Sequence, residues 1–562
     1  MADITPDEFR GLAKVAGLRL LDEDVEPLTV QFIALRVGLD GLDEHDMYGV
    51  EPLPALQYPA EAPGPSTGSG RAGERAGSGR AEPKLTESSD HPMAYKPITE
   101  LAHLLRTKQV SSVELTRMYL DRVERFDDEL RSYVTVTAEL ALEQAAKADE
   151  ALVRSEAVGP LAGIPLAHKD EFYTKDILTT CGSSILSEFV PDFDATPIAR
   201  FHEAGAVMLG KLNMTEFAAP VTWVFPYGQP RNPWNLEHDA GGSSTGSGIA
   251  VAAGLCAGSL AEDTGGPIRR PAPGNGAVGI RPPLGRASTH GMIASSWNQD
   301  TAGPIARSVA DCALLLEAVA GFDANDLMSA RLPVPSYASW LDGDIRGMRV
   351  AVIKEAIDAP HLDPRIRQLT LEAVGVLRSL GAEVEEVSMP LMTMTALINN
   401  ALHSPRVALQ WTHLNATPEL YDAGVRRNTL ISALVPAATY QRALQLRGRL
   451  RAQALGLLER FDVTVAPAYA QFPPRIADTK SEPATKEAAV EQMRKYGFHT
   501  PANYSGATAM TVPMGFSDDG LPIGLHVMAK RFDETSIFRI AHAYEQATPW
   551  HTMRPPYGNE AG

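Results

Sequence analysis

Apolar residues at helical spacing begin close to the start of the chain. Phe9, Leu12, Ala13 and Ala16 share one face behind Thr5-Pro6-Asp7-Glu8. That tetrapeptide places a threonine cap, a proline at the first helical position and a glutamate three residues on, which predicts a helix start. A second helical pattern puts Leu28, Phe32, Leu35 and Leu39 at core spacing and runs into an acidic stretch, Asp40 to Asp46. Two such helices cannot enclose a core, so their apolar faces are expected to lie on something larger. From about Ala60 to Pro92 the pattern dissolves into Gly, Ser, Pro, Ala and Arg, as in Ser66-Thr67-Gly68-Ser69-Gly70-Arg71, the composition of a flexible tether. Beyond it, strand and helix patterns interleave. An apolar strand, Val350 to Ile353, leads through Asp363-Pro364 into a helix with Ile366, Leu369, Ala373, Val376 and Leu380 on one face, stopped at Gly381 and followed by a strand-like stretch, Ala382 to Val387. Thr196 to Leu209 reads the same way, with Gly205 as the helix stop. Near the end, Met510 to Met514 and Leu521 to Met528 flank the turn sequence Ser517-Asp518-Asp519-Gly520 and predict a hairpin. The fold class is α/β, a mixed central sheet covered by helices, with a small N-terminal helical appendage. The expected organisation is 1–59 helical segment, 60–92 linker and 93–562 main domain.

Composition narrows the partners. With 562 residues, 44% of them hydrophobic, the chain can bury a large core, and its net charge of -18 repels phosphate backbones and anionic lipid heads. Nucleic acid is therefore disfavoured. Cys181, Cys256 and Cys312 show no paired spacing, which argues against a disulfide framework or a cysteine-built metal site and for a reducing, cytoplasmic setting. The longest apolar run, Gly248 to Ala261, is too short and too glycine-rich to span a bilayer, so no membrane association is expected. Neither a cofactor nor a metal is called for, and self-association into a homodimer stays open.

The chemistry concentrates in Gly241-Gly242-Ser243-Ser244-Thr245-Gly246-Ser247-Gly248 and in Asp263-Thr264-Gly265-Gly266-Pro267-Ile268-Arg269. A glycine- and serine-rich loop ahead of a small-residue helix suits a phosphate cradle or a linker, but a phosphate loop would want a lysine at its end and none is there. The other reading is a backbone that passes close to a substrate, with hydroxyls and N–H groups aimed at a developing oxyanion.

These segments resemble the amidase-signature family over roughly Pro97 to Pro556. Further matches are Gly163-Ile164-Pro165-Leu166-Ala167-His168-Lys169-Asp170, Gly210 to Phe217, Arg231-Asn232-Pro233-Trp234-Asn235, Asp300-Thr301-Ala302-Gly303-Pro304 and Ala543 to Trp550. The resemblance implies a triad of a lysine, a serine after a cis peptide and a nucleophilic serine. The first two fall on Lys169 and Ser243. The lysine would act as base through a pKa lowered by its low-dielectric site, with Ser243 passing the proton. The nucleophile's position is held by Pro267, which has neither a hydroxyl nor a backbone N–H. Thr264, Gly265 and Gly266 would offer N–H groups to an anion, while Asp263, Arg269 and Ser244 would support the loop. Arg270 and Pro273-Gly274-Asn275 depart further from the family pattern.

Leu18 to Leu21, Leu39 to Asp43 and Val50-Glu51-Pro52 resemble the small C-type partner subunit of glutamyl-tRNA amidotransferase and of carboxybiuret-type hydrolases, here fused to the large domain. Three functions follow. The first is a repurposed enzyme acting on an amide, ureido or carbamoyl C–N bond of a small molecule through the remaining Lys169–Ser243 relay. The second is a non-catalytic pseudoamidase that binds a small amide-like ligand or serves as a scaffold. The third is one component of a tRNA-dependent amidotransferase, against which the net charge counts. The retained lysine, serine and glycines weigh toward the first. The region from Ala396 to Arg475, with His403, Trp411 and His413, is expected to line the cleft.

Overall fold

The computed structural model describes residues 4–39, 42, 47, 92–154, 156, 158–402, 405–480 and 485–557. Most of the acidic stretch after the second helix, Val50-Glu51-Pro52, the tether up to Pro92, and His403 lie outside them.

Eleven strands among these residues form one sheet: β1 (Tyr133–Val136), β2 (Pro165–Lys169), β3 (Val207–Leu212), β4 (Gly258–Glu262), β5 (Val278–Arg281), β6 (Ala302–Ala306), β7 (Arg349–Ile353), β8 (Glu383–Val387), β9 (Val463–Pro467), β10 (Thr508–Phe516) and β11 (Pro522–Ala529). Their order is β1-β3-β2-β4-β6-β5-β10-β11-β9-β7-β8. Parallel pairs (β2 with β3 and β4, β7 with β8 and β9) coexist with antiparallel ones, so the sheet is mixed. Every residue of β2, β3, β4, β9 and β11 is buried, as expected for strands covered on both faces.

Local predictions translate into these elements with small shifts at their ends. The helix expected after Asp363 spans Pro364–Ser379, with the Asp363 carboxylate accepting from the Arg365 N–H, and the strand after it is Glu383–Val387. The stretch from Thr196 forms a helix, Thr196–Glu203, and then β3. β10 and β11 pair antiparallel across the predicted turn, which Ser517 closes: its N–H donates to the Leu521 carbonyl at 2.8 Å.

The N-terminal helices are α1 (Pro6–Val15) and α2 (Val25–Leu39). The capping box is present: Thr5 Oγ1 accepts from the Glu8 N–H at 3.3 Å, and the Glu8 carboxylate accepts from the Thr5 N–H at 2.8 Å. α2 buries more than one stripe, with Val25, Leu28, Thr29, Phe32, Ala34, Leu35 and Leu39 all inside. It packs against the helices Thr395–Leu402, Ala423–Ser432 and Lys486–Arg494 of the main body. Phe9, Leu28, Phe32 and Leu35 join Ile398, Leu402, Leu430 and Leu446 in one apolar cluster that also holds Met214 and Phe217, just past the end of β3. A buried ion pair fixes the register of this contact: the Asp24 carboxylate takes Arg426 Nε and Nη2 at 2.7 and 3.0 Å and Arg427 Nε at 2.7 Å.

Candidate active site

The site forms where neighbouring strands end. β2 and β4 run parallel in the register Leu166↔Gly258, Ala167↔Ser259 and His168↔Leu260, which brings Lys169 and Glu262 to the same edge. β6 is antiparallel to β4, with Ala302 opposite Glu262, so Asp300 enters from two residues before β6. Glu171 lies two residues beyond Lys169, in the turn that follows β2, and its carboxyl group comes back against the Lys169 ammonium. The carboxyl ends of strands in such sheets are where ligands are usually held.

Ser243 follows a cis Gly242–Ser243 peptide and leads into the helix Thr245–Ala252. Lys169 Nζ donates to Ser243 Oγ at 2.8 Å and to Glu262 Oε2 at 3.0 Å, and it lies 3.1 Å from Glu171 Oε1. All four side chains are buried. Two hydrogens of the ammonium thus have acceptors, and Glu171 adds an ion-pair contact beside them. Burial alone would lower the pKa of Lys169, but the carboxyl groups of Glu171 and Glu262 outweigh it and hold the ammonium above its ordinary value. This corrects the expectation of a lowered lysine, which considered burial and not the two acids placed against it.

From Glu262 the network continues to Thr264. Its hydroxyl is in hydrogen-bond contact with Glu262 Oε1 and lies 2.7 Å from Asp300 Oδ1. A hydroxyl carries one proton, so Thr264 can donate to only one of the two acids at a time. Burial and the neighbouring Glu262 push the Asp300 carboxyl up to about 7, and burial pushes Glu171 well above the carboxylate range against the pull of Lys169. Asp300 is also gripped by the backbone, its Oδ2 accepting the Ser295 and Ser296 N–H groups at 2.8 Å each.

Asp263 and Arg269 brace the loop. Arg269 Nε and Nη2 donate to the two Asp263 oxygens at 3.0 Å each, and Arg281 Nε stands 3.3 Å from the same carboxylate. Burial would raise the Asp263 carboxyl, yet Arg269 and Arg281 hold it well below the usual range. The Gly266 N–H donates to Asp263 Oδ1 at 2.9 Å, so in this structure it is taken up in supporting the loop. Ser244 Oγ reaches the Glu262 carbonyl at 3.4 Å. Pro267 sits half-buried in the turn, beside the exposed Gly265. Gly246 serves packing and not substrate approach, since a Cβ there would lie 2.2 Å from the Ser132 carbonyl oxygen.

The departures around Pro267 have structural partners. The Arg270 guanidinium lies over the Tyr469 ring at 5.4 Å, and Asn275 Nδ2 donates to the Ala240 and Pro271 carbonyls at 2.7 Å each. His499, which the sequence did not single out, places Nε2 2.9 Å from the Gly265 carbonyl and 3.3 Å from the Tyr469 hydroxyl; burial and then Arg269 push it down to about 3, so it is neutral. Glu171 and Glu262 were equally unmarked, although each stands within two residues of a motif residue, and Asp300 was read as a motif position without a role. Of the Ala396 to Arg475 region, Tyr469 and Arg406 stand near the site, whereas Trp411 is exposed and packs by Gly17 of the N-terminal segment.

A mixed sheet carrying a buried lysine bonded to a serine behind a cis peptide defines the amidase class of fold and site. A family model for amidases matches residues 114–538, and the chain belongs to that family. It is similar to the A subunit of the glutamyl-tRNA(Gln) amidotransferase of Geobacter metallireducens, 39% identical over 486 residues that cover 81% of this chain and 98% of the relative. Among solved structures it is similar to 6-aminohexanoate cyclic dimer hydrolase in complex with substrate (26% identity, TM-score 0.74, 83% of this chain and 100% of that one). It also resembles a protein of a vestigial complex that reveals the evolutionary origins of an s-triazine catabolic enzyme (28% identity, TM-score 0.73, 80% and 98%). No helix among the described residues is long and apolar enough to cross a membrane.

Proposed function

We propose that this chain takes a small amide, ureido or carbamoyl compound into the amidase pocket and does not process it by serine acyl transfer. The observation that carries this reading is the hydrogen bonding of the Lys169 ammonium to Ser243 and Glu262 together with its ion pair to Glu171. A lysine held protonated cannot accept the proton of an attacking hydroxyl, and Pro267 offers no hydroxyl at the position that the family resemblance gives to the nucleophile. The amidotransferase reading draws on the 39% identity to the Geobacter metallireducens relative, but it would need the same missing serine chemistry.

A second reading, turnover at a C–N bond by carboxyl groups, is favoured by the Thr264 hydroxyl that stands between Glu262 and Asp300. Burial and the neighbouring Glu262 push the Asp300 carboxyl up to about 7, which suits it to donate and accept a proton near neutral pH. In this reading Lys169 neutralises Glu262 and orients it.

The two readings separate in one experiment: the full chain is incubated with a fluorophosphonate probe and, separately, with a panel of amides, ureas and carbamates followed by product detection. The pocket reading expects no serine adduct and no release of amine or ammonia. Product release that survives Ser243→Ala but is lost in Asp300→Asn would replace it with carboxyl catalysis. An adduct on Ser243 would sink both.

A further inference from the structure

We infer that Arg406 forms a carboxylate-binding subsite in the wall of the candidate site, so that the small molecule taken there carries an anionic group. This rests on the reading that the pocket receives a small amide-like compound, and it adds the compound's chemical class.

Arg406 is the second residue of the helix Pro405–Ala416, and it is only 6% exposed. Its Nη2 donates to Ser295 Oγ at 3.0 Å, while Nε and Nη1 have no hydrogen-bond partner. A buried guanidinium with open donors is costly, because the charge has left water without a replacement. Several other buried arginines of this fold are answered by an acid: Arg269 is gripped by Asp263, Arg286 by Glu534 at 2.6 and 3.2 Å, and Arg426 by Asp24.

The acids nearest Arg406 are committed to other groups. Asp300 and Glu262 are the charges that act on it. The Asp300 oxygens take the Ser295 and Ser296 N–H groups and Thr264, and the Glu262 oxygens take Lys169 and Thr264. Glu171 stands against Lys169. None of these acids makes a hydrogen bond or an ion pair to the Arg406 guanidinium, whose Nε and Nη1 stay unpartnered. A ligand carboxylate is the matching group, since it is planar and can take two parallel N–H donors from one guanidinium. Ser295 ties the subsite to the chemistry: its hydroxyl receives Arg406 while its backbone N–H holds Asp300, so a ligand anion at Arg406 would lie one residue from the Thr264–Asp300 contact.

The test is thermal unfolding and calorimetric titration of the full chain at matched ionic strength. The probes are acetate, succinate and succinamate, set against neutral acetamide and succinamide. The expected result is a concentration-dependent rise in Tm with the carboxylates that exceeds the effect of the amides, lost in Arg406→Met. In Arg406→Lys, which keeps the charge but not the fork, succinamate should bind at least tenfold more weakly than in wild type. Without ligand, Arg406→Met should melt no lower than wild type, because it removes an unanswered buried charge. Should Arg406→Met fail to fold, the subsite is overturned, since the arginine would then be structural. Equal shifts from succinamate and succinamide, or a carboxylate shift that persists in Arg406→Met or is undiminished in Arg406→Lys, would overturn it as well and leave the pocket reading standing. A fluorophosphonate adduct on Ser243 would instead remove the pocket reading and leave the carboxylate result untouched. If neither class of compound shifts Tm, both fall.

Discussion

Lys169 shows how one side chain's neighbours decide its chemistry. A buried lysine with a single hydroxyl partner would lose its proton easily, but two acids supply what burial takes away. Pro267→Ser by itself should therefore remain unlabelled by a fluorophosphonate, because the restored hydroxyl would have no base. Adding Glu171→Gln and Glu262→Gln removes charge-assisted contacts of about 1.5–3 kcal/mol each and frees the amine. Labelling at position 267 is expected in the triple variant, and strong labelling of the single variant would show that Lys169 was never held. Asp300 yields a pH prediction. Its folded pKa is raised from 3.8 to about 7, so its contribution to stability is complete below about pH 4 and is lost as pH rises through 7. Subtracting the Tm profile of Asp300→Asn from that of wild type should leave a difference that declines between about pH 4 and pH 7 and levels off above; a flat difference would contradict the raised carboxyl.

At the scale of elements, the loop after β4 and helix α2 each depend on one tight contact. Gly266 has φ +120°, and a Cβ there would lie 2.6 Å from His499 Nε2 and 2.7 Å from the Tyr469 hydroxyl. Gly266→Ala should cost about 1–3 kcal/mol in denaturant unfolding, through strain and through displacement of His499 from the Gly265 carbonyl. At the other contact, Asp24→Ala leaves Arg426 and Arg427 facing a buried gap. The loss should be on the order of 3 kcal/mol, read as earlier unfolding and faster proteolysis of the N-terminal segment, whereas an unchanged rate would mean that the ion pair does not hold α2 in place.

Across the whole molecule, the N-terminal helices share an apolar cluster with Met214, Phe217 and the helices of residues 395–460, and α2 touches the helix Lys486–Arg494 that runs toward His499. We propose that residues 1–59 act as a built-in stabilising segment, tethered through 60–92 to the domain of 93–562. Removing residues 1–92 should expose Ile398, Leu402, Leu430 and Leu446, lower the melting temperature and promote aggregation. A monodisperse truncated protein with an unchanged melting curve would refute this.

The local code alone specified a good deal. The Thr5–Glu8 capping box, the Asp363 cap, the period of α2's apolar positions and the Ser517–Gly520 turn are short-range signals, and each became the expected element because its cause lies within a few residues. The motif residues Lys169, Ser243, Asp263 and Arg269 were legible in the same way, and the chain brings them together in the pairs the motifs implied. What the sequence could not specify was charge. Glu171, Glu262 and Asp300 lie as far as 129 positions apart, and no periodicity links an acid after β2 to one at the end of β4 and one before β6. Strand order places Glu171 and Glu262 around one ammonium and Asp300 beside Thr264, and burial among these acids, which no window of sequence reports, decides that Lys169 is held above its ordinary pKa and that the Asp300 carboxyl is pushed up. Arg406 belongs to the same category: only the packed helix shows that its donors are buried and unanswered.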